Sequence, residues 1–231
     1  FLTISLKRVK QNDPTMIMNY PGRTNRFMTS FEVKETSEIN NAITILVRGA
    51  RQNVLMNDMV SDPKIRLQYA SKYARSSNAW KKAIGMNETF AKLKVYDRRV
   101  ADEKIFSEWV GADSKRVEKY GNALFDVKNA IDGRAKLQQT MKYYTEALNS
   151  IELTSAAIDF TPKKDESPKG GMGSRPTVNP SDFYKDYRVE TDIKVAKAMI
   201  KLFKEKVPTT DLPDFYKTID SNYQGNIDAY V

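Results

Sequence analysis

Hydrophobic residues recur at every second position near the start of the chain and at every third or fourth position over most of the remainder. The runs LTISL, TMIMNY and RFMTSFEV, all within residues 1–34, alternate or are continuously apolar and are rich in β-forming residues, which is typical of strands. Asn12–Pro14 and the pair Pro21 and Gly22 interrupt these runs at turns. The pattern predicts two or three strands, which are marginally stable in water on their own.

Helix is predicted from about Lys34 onward, because the apolar positions change there to a spacing of three and four. Asp62 is a predicted N-cap with Pro63 at the first helical position, so a second helix begins there. Gly85 is predicted to end this helix, and a third helix covers Met86–Val110. The apolar face of the first helix consists of Ile39, Ala42, Ile43, Leu46, Val47, Ala50 and Val54.

A long fourth helix is predicted after Gly111 and Asp113, with an apolar stripe that slips at Gly133 and resumes at Leu137. Such a slip indicates a bend or a change of packing partner. The regular spacing favours antiparallel, coiled-coil-like packing of long helices.

Residues 161–182 combine Pro, Gly, Ser and charged residues without an apolar period, which predicts a mobile loop. Two helices are predicted beyond it, one around Ile193–Phe203 and one after Pro213. The fold class is therefore mainly α. A β-stranded part, residues 1–34, precedes an α-helical part, residues 35–231.

The 231-residue chain contains no cysteine and no histidine, which excludes whole classes of active site. There can be no disulfide or thiolate, and the commonest general base and metal ligand is absent. A Ser-His-Asp or Cys-His enzyme cannot be complete within these residues, so any chemistry uses carboxylates or lysines or lies outside this chain. The paired carboxylates Asp102 and Glu103 lie on a predicted polar helix face, and we interpret them as solvated surface. We expect no catalytic residue, metal or cofactor here.

The formal net charge of +9 is compatible with nucleic-acid binding. However, Lys and Arg alternate with Asp and Glu, and no basic run is interleaved with aromatic residues. We therefore expect no nucleic-acid partner, although a basic nucleic-acid-binding domain stays open as an alternative. No apolar run approaches the ~20 residues that a membrane span needs.

Two short motifs carry the candidate chemistry. YPGRTNR has one glycine and no Lys-Ser/Thr pair, so we interpret it as a structural turn rather than a phosphate loop. SSNAWKK places Asn78 near the predicted C-terminal end of a helix, where its amide could cap the helix or accept hydrogen bonds from an ammonium group. Tyr69, Tyr73 and Trp80 have helical spacing and are more typical of a core than of a ligand-stacking wall. The turn consists of Tyr20, Pro21, Gly22, Arg23, Thr24, Asn25 and Arg26.

The run MIMNYPGRTNRF, followed about fifty residues later by SSNAWKK, resembles the bacterial dipeptidyl-peptidase 7 and 11 family. Members are serine exopeptidases that carry a double β-barrel of chymotrypsin type and remove dipeptides from the N-termini of peptides. The family's Tyr-Pro-Gly-Arg-Thr-Asn-Arg pattern corresponds to Tyr20–Arg26, and its Asn-x-Trp-Lys element corresponds to Asn78–Lys81.

The resemblance implies that the strands end the first barrel and that the helices form an inserted cap over the active-site cleft. The triad histidine and aspartate would lie upstream of this chain and the serine downstream. It implies that Asn78 helps to bind the ammonium group of the substrate N-terminus, with Trp80 and Lys81 as supporting residues. It also implies peptide substrates as partners and a periplasmic or secreted location in a bacterium, and it allows a homodimeric parent. Preference for the first-site side chain, acidic or hydrophobic, does not follow.

A second alternative function remains open on the residues alone. A non-enzymatic helical bundle could bind a protein partner through a large exposed apolar stripe.

Overall fold

The computed structural model describes residues 10–14, 16, 25–160 and 180–231. Every regular element in this part of the chain is a helix, so the mainly α class is confirmed. No strand occurs among the described residues, but residues 1–9, 15 and 17–24 lie outside them, and the β-stranded part therefore stays a prediction. Most of the predicted loop, residues 161–179, also lies outside them.

The first helix, α1 (Ser30–Glu35), begins inside the run that we predicted to be a strand. A capping box sets its start: the backbone N–H of Glu32 donates to Thr29 Oγ1, and the backbone N–H of Thr29 donates to Glu32 Oε2 at 2.7 Å. The strand prediction was wrong for residues 30–33, because the Thr-x-x-Glu signal outweighs the β-forming residues between its two ends.

Glu103 belongs to this same junction and is not the free surface carboxylate that we expected. Its two oxygens accept hydrogen bonds from the Ser30 backbone N–H at 2.5 Å and from Ser30 Oγ at 2.7 Å. Asp102 is exposed, as expected, and pairs with Arg99 at 3.1 Å. The carboxylate pair is therefore split between a structural contact and the surface.

α1 continues without interruption through a π-helical turn, residues 36–41, into α2 (Ala42–Ser61). The side chain of Asn87 holds this turn. Its Nδ2 donates to the Ser37 carbonyl at 3.1 Å, and its Oδ1 accepts from Asn41 Nδ2 at 2.8 Å. A π turn widens the helix and disturbs the regular ladder, so a side chain that satisfies a backbone carbonyl there stabilises it.

The second long helix, α3 (Pro63–Lys92), begins as the sequence predicts, with Asp62 as N-cap and Pro63 in the first turn. It does not end at Gly85, because no proline or left-handed residue follows that glycine. The helix ends instead at Lys92, before a turn of Leu93 and Lys94 in which φ of Lys94 is +49°. α4 (Val95–Gly111) then runs to the predicted boundary.

The predicted fourth helix is two helices, α5 (Ser114–Tyr120) and α6 (Ala123–Glu146). The interruption lies at Gly121, where a Cβ would approach the carbonyl oxygen of Val117 to 2.5 Å, so only glycine fits without a shift. Gly133, where the stripe slips, lies inside α6.

The remaining helices are short apart from one. A 3₁₀ turn, Leu148–Ser150, leads to α7 (Glu152–Phe160). α8 (Pro180–Lys185) begins within the last residues of the predicted loop, and α9 (Val189–Lys206) follows it. The predicted last helix is divided into α10 (Phe215–Asn222) and α11 (Ile227–Tyr230), because Gln224 and Gly225 both have positive φ.

α2 is the centre of the fold, and α3 packs antiparallel to it. Arg51 contacts Ser76, whereas the earlier residue Asn41 contacts the later residue Asn87, so the two helices run in opposite directions. The first turn of α9 meets the last turn of α2, where the buried carboxylate of Asp58 accepts from Thr191 Oγ1 at 2.8 Å. The fully buried core side chains include Val47, Tyr69, Met199, Phe203, Tyr216 and Ile219.

α6 packs parallel to the central helix and is joined to it by two ion-pair contacts. In the middle of α6, Arg134 forms a two-point contact with Glu35 at 3.1 and 2.8 Å. Near its end, the buried carboxylate of Glu146 accepts from Arg48 Nε and from Lys142 Nζ, each at 2.7 Å. Burial raises the pKa of Glu146, but the hydrogen bonds and charges of Lys142 and Arg48 outweigh it and hold the pKa below its usual value.

None of the described helices has both the length and the apolar character that crossing a membrane requires.

We predict that Asn87→Ala lowers the free energy of unfolding by about 1–3 kcal/mol, because it leaves the Ser37 carbonyl and the Asn41 amide without their partner. Urea titration would measure the change. Asn53→Ala is the matched control, because Asn53 is an exposed residue of α2 whose side chain bonds no described residue. Equal, small effects of the two substitutions would contradict the role given to Asn87.

We predict that Glu146→Gln lowers the free energy of unfolding by about 1–3 kcal/mol at neutral pH, because it removes the negative charge that pairs with both Arg48 and Lys142. The folded-state pKa is depressed, so this stabilisation is present above the ordinary value of 4.5 and is lost as pH falls through the folded-state pKa. Unfolding titrations at several pH values should therefore show the variant and the unaltered protein converging in acid. Glu108→Gln, which breaks an exposed 3.9 Å pair with Lys104, should have no measurable effect at any pH.

Candidate functional site

Asn78 lies in the middle of α3 and not near the C-terminal end of a helix, which corrects the position that we expected. Helix capping is excluded as its role for the same reason. The side chain is exposed, and its amide makes no hydrogen bond to any residue of the described ranges. Its oxygen is therefore free to accept hydrogen bonds from another molecule or from another part of the protein.

The residues two positions away on either side of Asn78 point in the opposite direction. Each helical residue turns by about 100°, so Ser76 and Trp80 lie about 200° from Asn78 around the helix axis. Ser76 is buried and Trp80 is half-buried, and both contact α2. Asn78 consequently projects from the side of α3 that faces away from α2.

Trp80 joins α3 to α2 by a hydrogen bond as well as by packing. Its Nε1–H donates to the backbone carbonyl of Ile45 at 3.0 Å. The indole lies over Gly49, where a Cβ would stand 3.4 Å from Nε1. Tyr69 is buried in the main core and Tyr73 packs against that core, so these aromatic side chains do not form an open stacking wall.

Two residues before Asn78 in the sequence, Ser76 makes a second contact with α2: its Oγ accepts a hydrogen bond from Arg51 Nη2 at 2.8 Å. Burial lowers the pKa of the Arg51 guanidinium, and the like charge of Arg48 lowers it further. The turn of α3 that carries Asn78 is therefore attached to α2 both before and after that residue.

The surface around Asn78 is positively charged. Arg75, Lys81 and Lys82 occupy positions three or four residues away, where Cβ atoms are about 5–6 Å apart on a helix. All three are exposed and form no ion pair with any described residue. α3 as a whole contains seven Lys or Arg and one acidic residue, Glu88, so it holds most of the net positive charge of the chain. Lys81 contributes charge here and makes no described contact.

Only part of the predicted turn motif can be placed. Tyr20, Pro21, Gly22, Arg23 and Thr24 lie outside the described residues.

Asn25 and Arg26 are exposed residues before α1, and the Arg26 carbonyl accepts a hydrogen bond from Arg99 at 2.7 Å. They line an open cleft of about 730 Å³ beside the π turn, together with the paired Glu35 and Arg134. Asn78 is not part of that lining, so this cleft does not bring Asn78 together with the two described residues of the turn motif.

Sequence reasoning missed the residues of α2 that hold the Asn78 turn, namely Ile45, Gly49 and Arg51. Gly49 was a usable signal, because a glycine inside a regular helical pattern often marks a close approach of another group. Within the described residues no group of three or more acidic side chains could hold a metal ion.

Comparison with known proteins gives one consistent result. Residues 1–231 match the family described as Peptidase S46. Dipeptidyl-peptidase 7 of Phocaeicola vulgatus is 37% identical over the whole chain, which spans 33% of that protein. An Asp/Glu-specific dipeptidyl-peptidase of Porphyromonas gingivalis is 32% identical, again over the whole chain and 33% of the relative. The chain thus spans about a third of the length of the curated relatives that it matches.

Among solved structures, Porphyromonas endodontalis DPP11 in complex with the dipeptide Arg-Glu superposes with a TM-score of 0.73 at 28% sequence identity. The match covers 91% of this chain and 31% of that one. The helical arrangement described above is therefore shared with part of a larger dipeptidyl-peptidase.

We predict opposite outcomes for two substitutions at Gly49. Gly49→Ala should keep or raise stability by up to about 1 kcal/mol, because its Cβ meets Trp80 at an ordinary contact distance and alanine favours helix. Gly49→Leu should lower the free energy of unfolding by about 1–3 kcal/mol, because the leucine side chain displaces the Trp80 indole from the Ile45 carbonyl. Thermal unfolding and near-ultraviolet circular dichroism would measure both effects. If the leucine variant matched the alanine variant, the described contact would be wrong.

Proposed function

The chain belongs to the peptidase S46 family, and from this we propose that it is the helical domain of a serine dipeptidyl-peptidase that removes N-terminal dipeptides from peptides. The named dipeptidyl-peptidases among its relatives support this activity for the whole protein. The chain spans about a third of their length and lacks histidine and cysteine, which is compatible with a catalytic triad supplied from outside these residues. On this proposal these residues alone are inactive.

The role proposed for this domain is to cover the active-site cleft and to help bind the substrate N-terminus through Asn78. The observation that carries the role of Asn78 is an unpartnered, exposed amide on a helical turn that is fixed on its opposite side. An exopeptidase that cuts after the second residue must hold the terminal ammonium at a set distance from the scissile bond. A hydrogen-bond acceptor on a rigid helix is suited to this task, because its position changes little while the substrate binds.

The charges on α3 indicate what else this binding site requires. An amide oxygen is neutral, whereas Arg75, Lys81 and Lys82 repel a positively charged N-terminus. The single acidic residue of α3, Glu88, lies ten positions from Asn78, about 15 Å along the helix. A carboxylate that compensates the ammonium must therefore come from another element.

Covering the cleft would admit peptides with a free N-terminus and exclude longer or blocked ones, and closure of such a cap commonly gates an active site. A periplasmic or secreted location and a homodimeric parent are proposed on the same family resemblance.

We predict that Asn78→Ala in the full-length protein lowers kcat/KM for dipeptidyl substrates, because the ammonium loses a hydrogen-bond acceptor. The expected decrease corresponds to a loss of about 1–3 kcal/mol of transition-state stabilisation. Steady-state kinetics would measure the loss. Asn57→Ala is the control, since Asn57 is an exposed residue of α2 without a described partner.

A binding assay separates this role from a general loss of affinity. Asn78→Ala should weaken inhibition by a free dipeptide but not by the N-acetylated dipeptide, which has no ammonium. Unaltered kinetics, or equal weakening of the two inhibitors, would show that Asn78 does not bind the N-terminus.

A further inference from the structure

Near Asn78 the buried residues of α3 are mostly small: Ser76, Ser77 and Ala83. On α2, Gly49 lies under the indole of Trp80. Small residues allow helices to approach closely, but they provide few interlocking side chains that oppose rotation of one helix about its axis. Trp80 is a large side chain of this stretch that contacts α2 by both a hydrogen bond and packing.

The contact of Trp80 with α2 is directional. Ile45 lies in the interior of α2, where its carbonyl also serves the helical ladder four residues on, at Gly49. The indole N–H is a second donor to that oxygen, and it reaches the oxygen across a position without a Cβ. Packing alone would be satisfied by several indole orientations, whereas this hydrogen bond selects one.

We infer that Trp80 is a positioning residue that acts through Asn78, a role that rests on the proposed function. Trp80 and Asn78 lie on opposite sides of the same turn, so a contact that fixes the rotation of α3 on one side fixes the amide on the other. Trp80 itself does not touch the substrate, because its indole is directed at α2.

Helix geometry gives the size of the effect. A side-chain tip lies about 5–6 Å from the helix axis, so a rotation of α3 by about 10° moves the Asn78 amide by about 1 Å. A misplacement of about 1 Å at a site that orients substrate can lower the rate by as much as about a hundredfold. Loss of the Trp80 hydrogen bond therefore has a measurable consequence even if α3 stays folded.

The test is a double-mutant cycle in the full-length protein with Trp80→Phe, Asn78→Ala and the combined variant. Phenylalanine keeps an aromatic ring but has no N–H donor. We expect Trp80→Phe alone to lower kcat/KM about tenfold, mainly through KM. In the Asn78→Ala background, where there is no amide to position, the same substitution should change kcat/KM by less than about twofold.

Trp109→Phe is the matched control. Trp109 is the second tryptophan of the chain and lies on α4, where its ring lies 4.4 Å from the Arg116 guanidinium. Its replacement should leave kcat and KM unchanged. Ser76→Ala provides a milder variant if Trp80→Phe does not fold. It removes the Arg51 contact from the other side of the same turn and should show the same dependence on Asn78.

The outcomes separate the two proposals. If Asn78→Ala lowers kcat/KM but Trp80→Phe and Ser76→Ala do not, the positioning role is wrong and the proposed function stands. If Trp80→Phe lowers kcat/KM by the same factor with and without Asn78→Ala, the positioning role is also wrong, because Trp80 would then act independently of Asn78. If Asn78→Ala itself has no effect, the proposed function and this inference both fail.

Discussion

The central segment Ser30–Ser61 is enclosed by α3, α6 and α9, and this enclosure governs the rest of the structure. A helix with neighbours on three sides turns much of its surface toward the protein, so the polar side chains that are buried there must find partners within the protein. The pairs with α6 and the carboxylate of Asp58 facing α9 meet this requirement. The helix can hold its charges inside the bundle only because each neighbouring helix supplies the opposite charge or a hydroxyl group.

The same enclosure makes α3 a rigid support. α3 is joined to the central segment at three levels, through Ser76, Trp80 and Asn87, and the opposite side of α3 is left exposed around Asn78. Residues that must be buried and residues that must be exposed therefore lie on opposite sides of α3. The buried side carries small and aromatic side chains, and the exposed side carries charge and a free amide.

Parts of this fold could be read from the sequence, and the reasons are local. Asp62 and Pro63 are a strong start signal whose effect does not depend on distant residues, and the helix begins there. Gly85 failed as a stop signal because glycine alone does not end a helix. At Gly121, where α5 does end, the local geometry leaves no room for a Cβ. The capping box at Thr29 was also local and was overlooked in favour of the β-forming residues around it.

For the candidate site, the motif identified Asn78 and Trp80, but the contacts that place them could not be derived. A hydrogen bond from Trp80 to Ile45 joins residues 35 positions apart, and periodicity carries no information on such pairs. Periodicity does place the two residues on opposite sides of one predicted helix, because both precede Gly85, but it does not show which side faces another helix.

The charge distribution then limits how a site around Asn78 can work. A unit charge about 8 Å away costs a bound ammonium about 0.5 kcal/mol in water and several times more where water is excluded. With Arg75, Lys81 and Lys82 all within one turn, covering the site strengthens the repulsion unless a carboxylate is brought in at the same time. On the proposed function, closing the cap and completing the ammonium site would be one event, because the surface that excludes water must also deliver the negative charge.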